Sequence, residues 1–236
     1  SAASDVYKRQ TYNREAFNNS AIGRLPFVNG VKCINGMVFD VDTECDNVVF
    51  PDEDEDLHTI ANHLPFEKIK QITVHRGSTV QLLYRCNTLP KAINICGNLG
   101  ESVCQTKEEM ASRLTIDSIA ELCDREGVEN INIFDDSKTY KSIDSIVYSY
   151  DGKSLLKCPR GKTGQVTIPK GTEIIAANAF KHCHIDSVSF PSTLIQLEND
   201  AFASSTVKKI DFGIGIKAIG WFSFCLLYTS PSPRDA

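Results

Sequence analysis

Two overlapping stretches decide the fold: Val166 to Phe190, VTIPKGTEIIAANAFKHCHIDSVSF, and Val188 to Phe212, VSFPSTLIQLENDAFASSTVKKIDF. Laid over one another they are offset by 22 residues. Val166, Val188 and Ile210 align, as do Ile168, Phe190 and Phe212. Ile175, Leu197 and Ile219 follow, then Ala179-Phe180, Ala201-Phe202 and Ser223-Phe224, and Ile185 matches Val207. A fixed period of this length is the signature of a repeat architecture.

Each unit carries an apolar-x-x-apolar-x-apolar core, Ile185-Val188-Phe190 and then Val207-Ile210-Phe212. The same spacing recurs upstream at Ile22-Leu25-Phe27, Ile69-Ile72-Val74 and Val128-Ile131-Ile133, and with Pro90 in the first slot at Ile93 and Ile95. The residue between the last two apolar positions is Thr73, Asn94, Asn132, Thr167, Ser189 or Asp211, and Pro26 in the first core. Such alternation predicts a short strand buried on one face. The preceding stretches, Asp56 to His63, Ser78 to Cys86, Thr115 to Asp124 and Asn199 to Ser204, read as helical or turn-like. A short strand with a compact return cannot bury its apolar side alone, so the fold expected is a solenoid of parallel strands stacked unit on unit.

A longer echo pairs Ala16 to Phe27 with Ala201 to Phe212, and NGMVFDVD at Asn35 to Asp42 with DSIVYSYD at Asp144 to Asp151. Asp151-Gly152 between apolar pairs is a hairpin signal. The chain therefore divides into a partial repeat at 11–34, a hairpin insertion at 35–51, divergent repeats at 52–139 with a loop insertion at 96–114, a hairpin insertion at 140–165, and repeats of 22 residues at 166–224. The ends, 1–10 and 225–236, resemble translated sequencing adapter. Asp5 to Gln10 and Cys225 to Ser230 can be written as DNA strings that are reverse complements apart from one end base on each side, although a disordered polar tail would also suit the prolines.

Ser145 to Phe224 resembles the BspA-type leucine-rich repeat of microbial surface proteins. The motifs that carry the resemblance are VYSYDGKSLLKCP, VTIPKGTEIIAANAFKHC and VSFPSTLIQLENDAF, with Pro169 and Pro191 after the strand, then Ala179-Phe180-Cys183 and Ala201-Phe202. Residues 57–133 keep the strand core but lose the Ile-Pro and Ala-Phe elements. The resemblance implies a right-handed α/β solenoid of leucine-rich-repeat type, on a cell-surface or secreted protein that works by adhesion or partner binding. It implies no catalysis and no cofactor.

Composition describes an ordinary globular protein, long enough for one large domain or an extended repeat array. The 236 residues are 42% hydrophobic and 23% charged, with 25 Lys+Arg against 30 Asp+Glu. Without the tails' Lys8, Arg9, Arg234, Asp5 and Asp235 the counts become 22 and 28, a net of −6. An acidic balance argues against nucleic acid. No apolar run reaches the roughly 20 residues of a membrane span.

Chemical motifs fail on spacing. None of Cys33, Cys45, Cys86, Cys96, Cys104, Cys123, Cys158 and Cys183 forms a C-x-x-C, so zinc and redox signatures are absent. Core thiols are expected, with Cys96 and Cys104 the one pair to test as a disulfide. His182-Cys183-His184 offers two imidazoles without a third ligand. The Asp52 to Asp56 run lacks the glycine and glutamate of a calcium loop, and Gly161-Lys162-Thr163 lacks the upstream glycine of a phosphate loop.

What remains is the strand face. Parallel stacking places Thr73, Asn94, Asn132, Thr167, Ser189 and Asp211 in one outward column. Gln71, Ala92, Asn130, Gln165, Ser187 and Lys209 fall in the next. Small polar side chains there suit a protein or glycan partner, and uncapped repeat faces suit end-to-end association. The competing readings are a structural spacer without its own ligand and an accessory part of a larger enzyme.

Overall fold

The structure is a computed structural model that describes residues 20–21, 23–34, 37–51, 58–59, 64–75, 83, 86–97, 115–135 and 139–227. The chain forms a β-solenoid of about six turns, mostly of parallel strands and with few helices. Its first parallel sheet has the order β3-β5-β6-β7, from β3 (Asn47–Val49), β5 (Gln71–Val74), β6 (Ala92–Gly97) and β7 (Asn130–Asp135). Ahead of it β1 (Val31–Ile34) and β2 (Met37–Val41) pair antiparallel, and β4 (His58–Thr59) adds to β2 in parallel. The 22-residue units contribute a second parallel sheet, β11-β13-β15, from β11 (Gln165–Thr167), β13 (His184–Ser189) and β15 (Thr206–Asp211).

The return of each unit holds a two-residue strand, β12 (Ile174–Ile175), β14 (Gln196–Leu197) or β16 (Ala218–Ile219), and these pair in parallel at the same 22-residue offset. They join β8 (Tyr140–Ile143), β9 (Ile146–Ser149) and β10 (Ser154–Lys157) in a six-stranded sheet, β16-β14-β12-β10-β9-β8. One turn of chain, called a coil below, thus adds a strand to each of two sheets and closes through the Ala-Phe turn. That turn is set by left-handed residues recurring every 22 positions: Asn178, Asp200 and Phe222, each with φ 57°, then His182 (62°), Ser204 (54°) and Leu226 (54°).

Apolar columns fill the coils. Ile175 and Leu197 are fully buried, as are Ala179, Phe180, Ala201 and Phe202. Phe180 stacks on Phe202 with centroids 4.6 Å apart and planes 4° from parallel, and Phe202 on Phe224 at 5.5 Å and 15°. Offset stacking of this kind is worth about 0.5–1.5 kcal/mol per pair beyond the buried area.

One uninterrupted stack was expected, and the structure divides it. Ile72, Ile93 and Ile131 lie in one buried cluster, whereas Val166, Val188 and the half-buried Ile210 belong to another. The physical cause is the chain reversal between β7 and β11. Asp144 (φ 50°) and Ser145 (φ 61°) make a two-residue turn with both centres left-handed, the geometry that matches strand twist. β9 then feeds both sides, Val147 packing into the first cluster and Ile146 and Tyr148 into the second.

Other expectations are corrected. Of Ile22-Leu25-Phe27, Leu25 and Phe27 are both 37% exposed and outside any strand, and Ile22 lies outside the described residues. Asn47–Val49, read as part of a hairpin segment, pairs parallel with β5, because Val48 and Phe50 are buried and fit the alternation. His58–Thr59 is extended within a stretch read as helical, and most of Ser78 to Cys86 lies outside the described residues. Helix α1 (Ile116–Cys123) does form. Thr115 caps it by accepting from the Ser118 amide, and Ile119, Leu122 and Cys123 recur on its buried face.

Candidate binding face

Strand register fixes which outward residues meet. In the first sheet Gln71, Ala92 and Asn130 stand opposite one another, and Thr73, Asn94 and Asn132 form the adjacent column. In the second sheet Gln165, Ser187 and Lys209 align, and Thr167, Ser189 and Asp211 beside them. Each expected column is therefore two columns on separate sheets. The break is the hairpin pair β8–β9–β10 that divides the core.

The two halves differ chemically. In the first, the side chains of the Thr73, Asn94 and Asn132 column bind each other. Thr73 Oγ1 donates to Asn47 Oδ1 at 3.0 Å, and Asn94 Nδ2 donates to Thr73 Oγ1 at 3.2 Å. Asn132 Nδ2 donates to Asn94 Oδ1 at 3.0 Å, and Ser145 Oγ to Asn132 Oδ1 at 3.2 Å. Five side chains form one chain of hydrogen bonds with every donor pointing the same way, an arrangement in which each bond polarises the next. Asn47 and Ser145 were missed in the sequence. Asn47 had a readable signal, since Val48, Phe50 and Pro51 after it repeat the strand-then-proline pattern of Val188, Phe190 and Pro191. Ser145 had none, because only the tight turn brings it to Asn132.

In the second sheet none of Gln165, Thr167, Ser187, Ser189, Lys209 and Asp211 makes a side-chain hydrogen bond among the described residues, so these groups face solvent with their donors and acceptors open. The pairs that do cross β13 and β15 sit on the flank: Lys208 with Asp186 at 2.7 Å, both well exposed, and His184 Nδ1 with Thr206 Oγ1 at 3.3 Å. Exposed ion pairs of this kind contribute little.

Two lysines, the buried Lys157 and the partly exposed Lys162, hold the junction between the clusters. Lys157 Nζ, almost wholly enclosed, reaches Asp124 Oδ1 at 2.7 Å and the Asn178 carbonyl at 3.0 Å. Lys162 Nζ bonds the Asp144 carbonyl at 2.7 Å and its carboxylate at 3.2 Å. Gly161 is required by close approach, since a Cβ there would sit 2.7 Å from the Val128 carbonyl oxygen. That accounts for the Gly161-Lys162-Thr163 turn without a phosphate.

Cys45, Cys123, Cys158, Cys183 and Cys225 are free thiols; Cys104, and with it the Cys96–Cys104 pair, and the Asp52 to Asp56 run lie outside the described residues. Cys86, Cys123, Cys158 and Cys183 are buried. Burial pushes the Cys86 thiol up to about 11 and raises Cys123 and Cys158 further, so these sulfurs stay protonated and unreactive at neutral pH. His182 and His184 are exposed. Among the described residues no three His, Cys, Asp or Glu side chains are grouped to hold a metal ion, and no helix is long and apolar enough to cross a membrane.

Residues 158–230 match the family described as the BspA type leucine rich repeat region (6 copies). No curated protein matches the chain. Two solved structures are similar: a leucine-rich repeat protein from Eubacterium ventriosum, 17% identical with a TM-score of 0.38, and the pneumococcal vaccine antigen PcpA, 12% identical with a TM-score of 0.40. Each match covers 74% of this chain, which spans 38% of the first structure and 50% of the second. The 22-residue coils, their Ala-Phe turns and the family match agree in making residues 158–230 similar to the BspA type leucine rich repeat region.

Proposed function

We propose that the chain is a non-enzymatic binding or adhesion module of a cell-surface or secreted microbial protein, and that it takes a protein or glycan partner on the strand face of its 22-residue coils. The observation that carries this reading is the open polar grid of the second sheet, Gln165, Ser187 and Lys209 beside Thr167, Ser189 and Asp211. Rigid strands hold these groups in fixed register. A partner that satisfies their donors and acceptors would order little protein on binding, which favours affinity.

In the first sheet the Thr73, Asn94 and Asn132 column is already engaged with itself, which favours a scaffold role for that column. The reading is tested by screening the full chain against glycan arrays and immobilised extracellular-matrix proteins, with Ser187→Arg and Ser189→Arg as variants. Loss of at least tenfold in affinity with both, and none with Asn130→Arg on the first sheet, supports the assignment. Equal binding by all variants places the ligand elsewhere, and no binding by the wild type leaves the spacer reading in its stead.

A further inference from the structure

Two buried thiols meet where the dividing hairpin joins the first 22-residue coil. Cys158 directly follows β10, and Cys183 follows the Ala-Phe turn of that coil. Both are fully buried and belong to the second cluster. Their segments are in contact, since the Cys158 amide donates to the Ala179 carbonyl at 2.8 Å. Cys183 Sγ lies 3.7 Å from the Cys158 carbonyl oxygen and 3.8 Å from that of Pro159. Cys158 Sγ lies 3.7 Å from the same Pro159 oxygen. The two sulfurs converge on one carbonyl and are within hydrogen-bonding reach of each other.

The pair is not a product of the repeat. It spans 25 residues, not 22, and the residues 22 positions after Cys158 and Cys183 are Phe180 and Ser205, which form no such bond. A third buried thiol, Cys123, ends α1 across the junction and belongs to the first cluster. Its carbonyl accepts from the Arg160 amide at 2.8 Å, but its sulfur makes no hydrogen bond to Cys158 or Cys183 among the described residues. One pair of the three is thus set apart by position.

We propose that Cys158 and Cys183 are a cross-linking site, joined as a disulfide when the chain folds beside a disulfide oxidant, and that the bond pins the dividing hairpin to the first coil. The thiolate of one cysteine attacks the oxidant's disulfide and expels one thiolate. The thiolate of the other attacks the mixed disulfide and expels the second. Two electrons pass from the cysteine sulfurs to the oxidant, which leaves as two thiols carrying the two protons. Solvent reaches neither sulfur once the coil has closed, so the exchange belongs to folding or to a transient opening. The bond constrains the unfolded chain at a junction that a solenoid otherwise holds through nearest-neighbour contacts alone. It requires no partner on the strand face, and a spacer would carry it equally.

The test refolds the full 236-residue chain from urea and reductant into a buffer of oxidised and reduced glutathione, alkylates the remaining thiols and maps the tryptic peptides. Arg113, Arg125, Lys157, Arg160, Lys181 and Lys208 place Cys123, Cys158 and Cys183 on three separate peptides, so each pairing has its own mass. The expected product joins 158–160 to 182–208. The same oxidation held in denaturing urea should scatter the pairs, so this product should be enriched at least tenfold under folding conditions. Adding glutathione only after the reduced chain has folded should form it at least tenfold more slowly. Against the same chain reduced, hydrogen exchange over residues 154–189 should slow at least tenfold, and residues 47–97 should not change. Recovery of Cys158 and Cys183 as alkylated thiols from the folded, oxidised chain overturns the proposal. So does a bond from either to Cys123 as the main product, or equal yields with and without urea.

Discussion

Replacing Phe202 by Ala removes the ring at the centre of the second stack. Phe202 is fully buried and touches three other rings: Phe180 at 4.6 Å, Phe224 at 5.5 Å and Phe190 at 6.0 Å. Truncating a core Phe costs about 3–5 kcal/mol through lost transfer energy and the cavity left behind. Three ring partners place this site at the upper end, about 5 kcal/mol. Solenoid coils contact only their neighbours, so the loss should stay local. With a urea slope of about 2 kcal/mol/M, the midpoint for residues 165–224 should fall by about 2.5 M. Residues 47–97, whose core is Val48, Phe66, Ile72 and Ile93, should hardly respond. Hydrogen exchange followed by mass spectrometry, read peptide by peptide across a urea series, separates the two segments. Phe202→Leu keeps most of the volume and should cost about 1–2 kcal/mol, the part owed to the rings. Equal loss of protection in both segments would refute the reasoning, because it would make the two clusters one cooperative unit through β9. A cost below about 2 kcal/mol for Phe202→Ala would refute the ring column as a main support of the coils.

Asn94→Ala breaks the polar chain in the middle, taking a donor from Thr73 and an acceptor from Asn132; chemical denaturation should show a loss of about 1–2 kcal/mol, and adding Asn132→Ala should cost less than the sum. Phe222→Asn restores the residue type that the Asn178 and Asp200 positions use at φ 57°, so the third coil should gain about 0.5–1 kcal/mol in thermal unfolding. Folding raises the Cys86 thiol from 9.0 to about 11, so the unfolded chain loses that proton first as pH rises. The stabilisation from the protonated thiol is present below pH 9 and is lost between pH 9 and 11, and Cys86→Ala should flatten that alkaline fall in a pH-dependent urea series. At pH 8 a thiol reagent should label the exposed Cys225 first and leave Cys123, Cys158 and Cys183 until denaturant is added.

The 22-residue offset determined most of the second half. It set Val166, Val188 and Ile210 in register, repeated the Ala-Phe turn and placed Thr167, Ser189 and Asp211 in one outward column. These are local and nearest-neighbour properties. A strand one residue out of register would turn its apolar side chains to water, so the alternation itself specifies the pairing.

Tertiary structure decided the rest. That the stack divides at β9 depends on whether Val147 or Ile146 faces a given core, and adjacent apolar residues in a sequence do not say which. Ser145 reaches Asn132 only because the turn at Asp144 and Ser145 folds back on β7. That contact completes the self-bonded column of the first sheet. Periodicity records which residues share a side of a strand, because that is a property of the backbone. Which of those side chains find each other, and which are left for a partner, is set by distances of about 3 Å between segments far apart along the chain.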